Sequence, residues 1–244
     1  MRSFGKYFIF LGSLFTNRET FRTYVQLTFD ECILIGIDSI FLVSLVSLFI
    51  GAVTTVQTAY NLISPLIPNF VISQVVREMV VLELAPTIMA IVFAGKVGSS
   101  IAGGLGTMRI TEQIDALEVM GINSSSYLVL PKIIATVMMY PLLVICAGVL
   151  SLFGGYLAGT LAQIISPNDY IYGIRFEFNP YTIQFALIKS FVFAFLISSI
   201  SSYKGFYTRG GALEVGIAST KAVTNSVIAV LLADYLLAQL LLKQ

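Results

Sequence analysis

Long apolar stretches alternate with short polar ones along this chain, at about residues 34–57, 80–104, 127–163, 182–203 and 217–242. At about 1.5 Å of rise per residue, each is long enough to cross a hydrocarbon layer about 30 Å thick as a helix. The pattern therefore predicts an all-α integral membrane protein with about five transmembrane helices. The third run is too long for one straight span. Because Pro131 and Pro141 lie in it, it is expected to begin as a cytoplasmic or tilted segment and to kink before crossing. Residues 58–79 and 164–181, which contain Pro65, Pro68, Pro167 and Pro180, read as connections on one side. Pro86 removes a backbone donor inside the second run and should bend its outer part.

Two polar segments carry a helical period of their own. Near the start, Phe4, Phe8, Leu11 and Phe15 recur at three- or four-residue steps, which predicts an N-terminal interfacial helix along the bilayer within residues 1–30. Asn17, Arg18 and Glu19 follow in place of a small-residue cleavage site, so no cleaved signal peptide is expected. After the second run, residues 107–121 read as a short amphipathic helix. Projected at about 100° per residue, Ile110, Ile114, Leu117 and Met120 share one arc, and Glu112, Asp115 and Glu118 lie opposite. Gly121 suits a left-handed stop. The pattern fits a helix docked on a soluble partner and also a solvated loop helix under the membrane, and it leaves open whether the apolar arc meets a partner or lipid.

Composition narrows the chemistry. With 57% hydrophobic and 11% charged residues, most of the surface is suited to lipid rather than water. A net charge of +1 with no basic tract argues against nucleic acid as a partner. Cys32 and Cys146 are isolated and histidine is absent, so no disulfide framework, CxxC metal site, zinc site or haem site is expected. No GxxxxGK[ST] motif is present, so ATP-driven work would need hydrolysis on another subunit. Placing the N-terminus in the cytoplasm collects Arg2, Lys6, Arg18, Arg22, Arg109, Lys204 and Arg209 inside, against Arg77, Arg175 and Lys243 outside. An odd number of spans then puts the C-terminus outside and residues 107–121 in the cytoplasm. On that side the sequon Asn123-Ser124-Ser125 reads as chance.

Within the spans, small residues and charges stand out. Gly95, Ser99 and Gly103 repeat every fourth position, with Gly98 and Gly106 nearby, as do Ala147, Ser151, Gly155 and Gly159. Such ridges let helices approach closely, within one chain or across a dimer. Intramembrane charge is costly enough to imply a function or a partner, which singles out Glu83, Lys96, Lys189 and Asp234. Counted inward, Lys189 lies about 10 Å deep and Asp234 about 12 Å deep. An ion pair between them is expected, with Glu83 near the same level. Lys96, among glycines, can snorkel to hold an anionic headgroup or to anchor its helix.

Several stretches together resemble the MlaE (YrbE-like) permease family of ABC-type phospholipid transport systems. They are Glu83-Leu84-Ala85-Pro86, Ala94 to Ser99, Gly106 to Met120, and Ile188-Lys189-Ser190. The long central stretch is the specific one, and the similarity extends over nearly the whole chain, as one permease domain over 1–244. The resemblance implies a homodimer in the inner membrane of a Gram-negative-type bacterium. It implies a coupling helix at about Thr107 to Gly121 docked on an MlaF-like ATPase, with Arg109, Ile110, Glu112, Gln113, Ile114, Asp115, Leu117, Glu118 and Met120 at the contact. ATP and magnesium would sit on that ATPase and no cofactor on this chain. Phospholipid would occupy a cavity between subunits, capped by MlaD-like MCE subunits, and some family systems add a STAS-domain subunit. Lys96 stands where the family has a basic residue, usually Arg, and keeps the charge without the bidentate grip. Some members carry an acid at the position of Gly104, and no role of that carboxylate is carried over. The other class considered is an ion-coupled secondary transporter using Glu83, Lys189 and Asp234 as a relay; no internal repeat supports it.

Overall fold

In a hydrocarbon layer no water can serve a backbone N–H or C=O, so a single apolar segment satisfies its own polar groups only as a helix. The structure is a computed structural model that describes residues 2–14, 21–62 and 68–241. Among those residues there are eight helices and no strand: α1 (Arg2–Ser13), α2 (Arg22–Asn61), α3 (Phe70–Ile110), α4 (Gln113–Val119), α5 (Ser124–Leu161), α6 (Pro167–Arg175), α7 (Tyr181–Phe206) and α8 (Ala212–Leu241). Of these, α2, α3, α5, α7 and α8 are long and apolar enough to cross a membrane. Phe15, Asn17, Arg18, Glu19, Pro65 and Lys243 lie outside the described residues, as do the side chains of Arg2 and Phe4.

The helices depart from the expected pattern in three places. First, α5 runs for 38 residues as one helix, and neither Pro131 nor Pro141 ends it. Second, the connection expected over 164–181 contains α6. Its start is well specified: Ser166 caps it, accepting the Asp169 N–H at 3.1 Å, and Pro167 occupies the first turn, where its missing donor costs nothing. Third, α2 and α3 are wound wider in three stretches, with π-helical turns at Ile33–Ile37, Val80–Ile88 and Ala94–Gly98. Pro86 lies inside the second, so its effect on α3 is a local widening. In a regular α-helix its ring would collide with the carbonyl four residues back.

The chain gathers into two compact units, one of residues up to 39, 90–140 and from 191 on, the other of 40–89 and 141–190. In the first unit, α1 is held by Phe10 and Leu14, both buried, and by a 2.7 Å hydrogen bond between the Tyr7 hydroxyl and Ser199 Oγ. The Phe10 ring packs against Tyr203, Phe206 and Tyr207. Burial pushes the Tyr7 hydroxyl up, and the bond to Ser199 offsets part of that. Phe8, from the face expected to meet lipid, is exposed together with Ile9, so α1 is apolar on two sides. Asn123 is the N-cap of α5: its Oδ1 accepts from the Ser126 N–H, while its amide donates to the Ser13 carbonyl.

In the second unit α2 and α5 touch through backbone. A Cβ on Gly51 would lie 1.7 Å from the Ser151 carbonyl oxygen, and one on Gly154 would lie 2.1 Å from that of Leu48. Ser151 Oγ donates to the Ser47 carbonyl at 2.8 Å. The Ala147, Ser151, Gly155, Gly159 ridge therefore faces a matching one on α2, Ser47, Gly51 and Thr55. Arg77, counted from sequence only as an outside charge, is buried. Its Nη1 donates to the carbonyls of Ile174 and Phe176 at 2.8 and 2.7 Å, which terminates α6 with a positive charge at its negative end. Tyr170 of α6 donates its hydroxyl to the Leu152 carbonyl, and burial pushes its pKa up to about 12.

Candidate functional site: a braced helix and intramembrane charges

The segment expected to couple to a partner is two elements. Helix α3 continues through Ile110, a turn follows at Thr111 and Glu112, and α4 starts at Gln113. Glu112 stands in the left-handed region with φ of 60°, a conformation that costs a non-glycine residue roughly 1 kcal/mol. A single 100° projection over 107–121 therefore does not describe the segment, because Ile110 belongs to the axis of α3. The far end is as expected. Gly121 has φ of 79°, its N–H donates to the Glu118 carbonyl, and the Ile122 N–H donates to the Leu117 carbonyl, the paired bonds of a glycine-terminated helix.

The faces of α4 also differ from the expected split. Ile114 is fully buried within its own unit, so it is no part of an outward apolar arc. Leu117 is half-buried. Asp115 and Glu118 are not merely solvated acids. Arg109 Nη1 lies 2.7 Å from Asp115 Oδ1 and 3.9 Å from Glu118 Oε1, and the same guanidinium stands over the Phe206 ring. Glu118 also accepts from Ser124 Oγ at 2.8 Å. One cation from α3 and one hydroxyl from the start of α5 thus brace α4. The outward face combines Glu112, Gln113 and Ala116 with Val119 and Met120, which are 88% and 65% exposed. Val119 was missed because it lies beside the projected arc. The two-element chain path turns it outward. Nearby, burial pushes the Tyr207 hydroxyl up, as does Tyr203, while Arg109 opposes this.

Among the glycines, Gly98, Gly103 and Gly106 meet neighbours: added Cβ atoms would lie 2.9 Å from Ser201 Oγ, 3.3 Å from Ser219 Oγ and 3.2 Å from a Val215 methyl. Opposite them, Gly205 of α7 would place a Cβ 2.5 Å from the Ala102 carbonyl oxygen. Gly95 and Gly104 face open space, so the expected four-residue ridge does not begin at Gly95. Ser99 instead turns its hydroxyl back to the Gly95 and Lys96 carbonyls of its own helix. The packed face follows Gly98, Ala102 and Leu105, at steps of four and three residues.

The intramembrane charges find specific places. Lys96 anchors its helix: Nζ donates to the carbonyl of Asp38, the residue that follows the first π-helical stretch. Lys189 is fully buried, and its ammonium lies 2.9 Å from Glu83 Oε2 and 3.0 Å from the Leu82 carbonyl, over the Phe185 ring. Leu82 is four residues before Pro86, so its carbonyl is the one an α-helix would leave unserved. In the π-helical stretch Lys189 gives that carbonyl a side-chain donor. Thr87 Oγ1 also donates to Glu83 Oε2, at 3.2 Å. Within its own unit, the carboxylate facing Lys189 is Glu83. Groups of acids, cysteines or histidines able to hold a metal are absent among the described residues.

Five helices long and apolar enough to cross a membrane, with a braced helix between the second and third, mark a multi-pass membrane protein. The chain belongs to the MlaE permease family, whose model matches residues 28–240. It is 37% identical to a probable ABC transporter permease protein of Rickettsia bellii over 99% of this chain and 93% of that one. A probable ABC transporter permease protein of Synechocystis is 30% identical over 97% and 89%. Protein trigalactosyldiacylglycerol 1, chloroplastic, of Arabidopsis thaliana is 37% identical over 64% of this chain and 44% of its own length. The chain is thus a membrane permease of the ABC transporter kind.

Proposed function

We propose that this chain is the permease subunit of an ABC-type phospholipid transporter, moving lipid between the inner membrane and a periplasmic MCE-protein partner. A separate MlaF-like ATPase carries ATP and magnesium and supplies the work. The observation that carries this reading is α4, a braced helix whose free face presents Val119 and Met120 at the end of the glycine-lined α3. A helix tied to α3 through Arg109 passes any displacement imposed on it to that span. The relative named for trigalactosyldiacylglycerol adds weight to a lipid as cargo. In this reading two copies enclose the lipid, MlaD-like subunits cap them, the N-terminus is cytoplasmic and the C-terminus periplasmic. Arg109, Glu112, Gln113, Asp115 and Glu118 shape the ATPase contact, which Val119 and Met120 anchor. A STAS-domain subunit, where present, binds the ATPase.

The ion-coupled alternative needs a carboxylate free to exchange protons. The contacts of Lys189 with Glu83 and the Leu82 carbonyl suit a fixed pair better than a relay. The deciding experiment purifies the chain from its own membrane, identifies what co-purifies, and repeats this with Val119→Asp. Recovery of an ATPase subunit and phospholipid, with the ATPase lost in the variant, is expected. Uptake into vesicles driven by a proton gradient without ATP would overturn the reading.

A further inference from the structure

Where α7 gives way to α8, the first unit carries two cavities that share one side chain. The first, about 430 Å³, is lined by Tyr7 of α1, Tyr203 and Lys204 of α7, and Asn225, Ala229 and Leu232 of α8. Beyond Lys204 and Asn225 its wall is aromatic and aliphatic. The second, about 310 Å³, is lined by Lys204 again with Arg209, Glu214 and Lys221. The carboxylate of Glu214 accepts the Gly211 N–H at 2.8 Å, so it is turned toward backbone. None of the three cations forms an ion pair among the described residues. Lys204 occupies the last turn of a membrane-spanning helix, where its stem can lie against hydrocarbon while its ammonium reaches the polar side.

An apolar trough and a cationic recess that share Lys204 complement one kind of molecule, an amphiphile with an anionic head. Three cations against one engaged carboxylate set the sign of that head, and the span that carries Lys204 sets its depth at the membrane surface. We propose that Lys204, Arg209 and Lys221 bind the phosphate of an anionic phospholipid whose acyl chain lies between α1 and α8, along Tyr7, Ala229 and Leu232. This site lies within one unit of one chain. It rests only on the chain spanning a membrane, and stands or falls separately from lipid transport.

The test measures lipid retained by the full chain, purified with whatever partners accompany it, by native mass spectrometry during titration with phosphatidylglycerol, phosphatidylcholine or inorganic phosphate. Phosphatidylglycerol is expected to bind at least about tenfold tighter than phosphatidylcholine, and the triple variant K204Q/R209Q/K221Q to lose at least about tenfold of that affinity. Ala229→Phe, which fills the apolar trough, should weaken phosphatidylglycerol but not inorganic phosphate. If the triple variant unfolds, Lys221→Gln, at an exposed position, replaces it with a smaller loss of the same sign. Unchanged phosphatidylglycerol binding in the charge variants would overturn the site. Inorganic phosphate binding as tightly as phosphatidylglycerol, with Ala229→Phe silent, would mark a free-anion site and overturn the lipid.

Discussion

At the scale of the residue, the buried ion pair joins a lysine of one span to the π-helical stretch of another. Pro86 lies in a π-helical stretch, and Lys189 donates to the Leu82 carbonyl of that stretch while facing Glu83. The partners are unequally placed, since Lys189 is fully buried and the Glu83 side chain is 45% exposed. Removing the carboxylate takes away the charge that faces a desolvated ammonium. Removing the lysine leaves a carboxylate that keeps the Thr87 hydroxyl as a donor. Glu83→Leu should therefore cost about 3 kcal/mol of stability or more and Lys189→Met clearly less, read as melting temperatures in detergent. Equal losses would show that the pair is not organised by burial. Glycine gives a second contrast. Gly51→Ala drives a methyl into the Ser151 backbone and should destabilise by about 1–3 kcal/mol. Gly95→Ala faces open space in a helix interior and should be neutral, or stabilising by roughly 0.5 kcal/mol.

At the scale of the element, α4 was legible as a short amphipathic helix with a glycine stop, and that stop stands as the sequence implied. Its faces were not legible, because the break at Glu112 resets the helical phase and because Arg109, from the preceding helix, claims two acids that appeared solvent-facing. Gly121→Val should cost about 1 kcal/mol locally, with Gly121→Asn milder, since asparagine tolerates positive φ. Hydrogen exchange of the Ile122 and Gly121 amides would report it. Ile114→Asp should unfold the segment, because its side chain is fully buried, whereas Val119→Asp should leave the melting temperature within about 0.5 kcal/mol of equivalent stability and act only on partner binding. Loss of stability in Val119→Asp would place that residue inside the fold instead. Small residues at four-residue spacing identified one ridge of the α2–α5 contact. The same spacing at Ser47, Gly51 and Thr55 carried the matching signal on α2.

At the scale of the whole molecule, the five spans followed from the lengths of the apolar runs, since a helix is the form in which a lone segment satisfies its backbone in lipid. For the permease reading, proteoliposomes containing the chain without an ATPase should move no phospholipid under a proton gradient. Adding the co-purified ATPase and ATP should restore movement. Sequence by itself therefore determined the number of apolar spans, the glycine stop of α4 and the family, because each depends on local length, local conformation or a motif contiguous in the chain. Tertiary structure alone decided that Lys189 meets Glu83, that Arg77 terminates α6, that Ile114 turns inward and that Lys204 joins an apolar trough to a cationic recess. Those are facts of azimuth around helix axes and of approach between distant segments. A linear pattern records depth along a helix, whereas packing fixes the direction in which each side chain points.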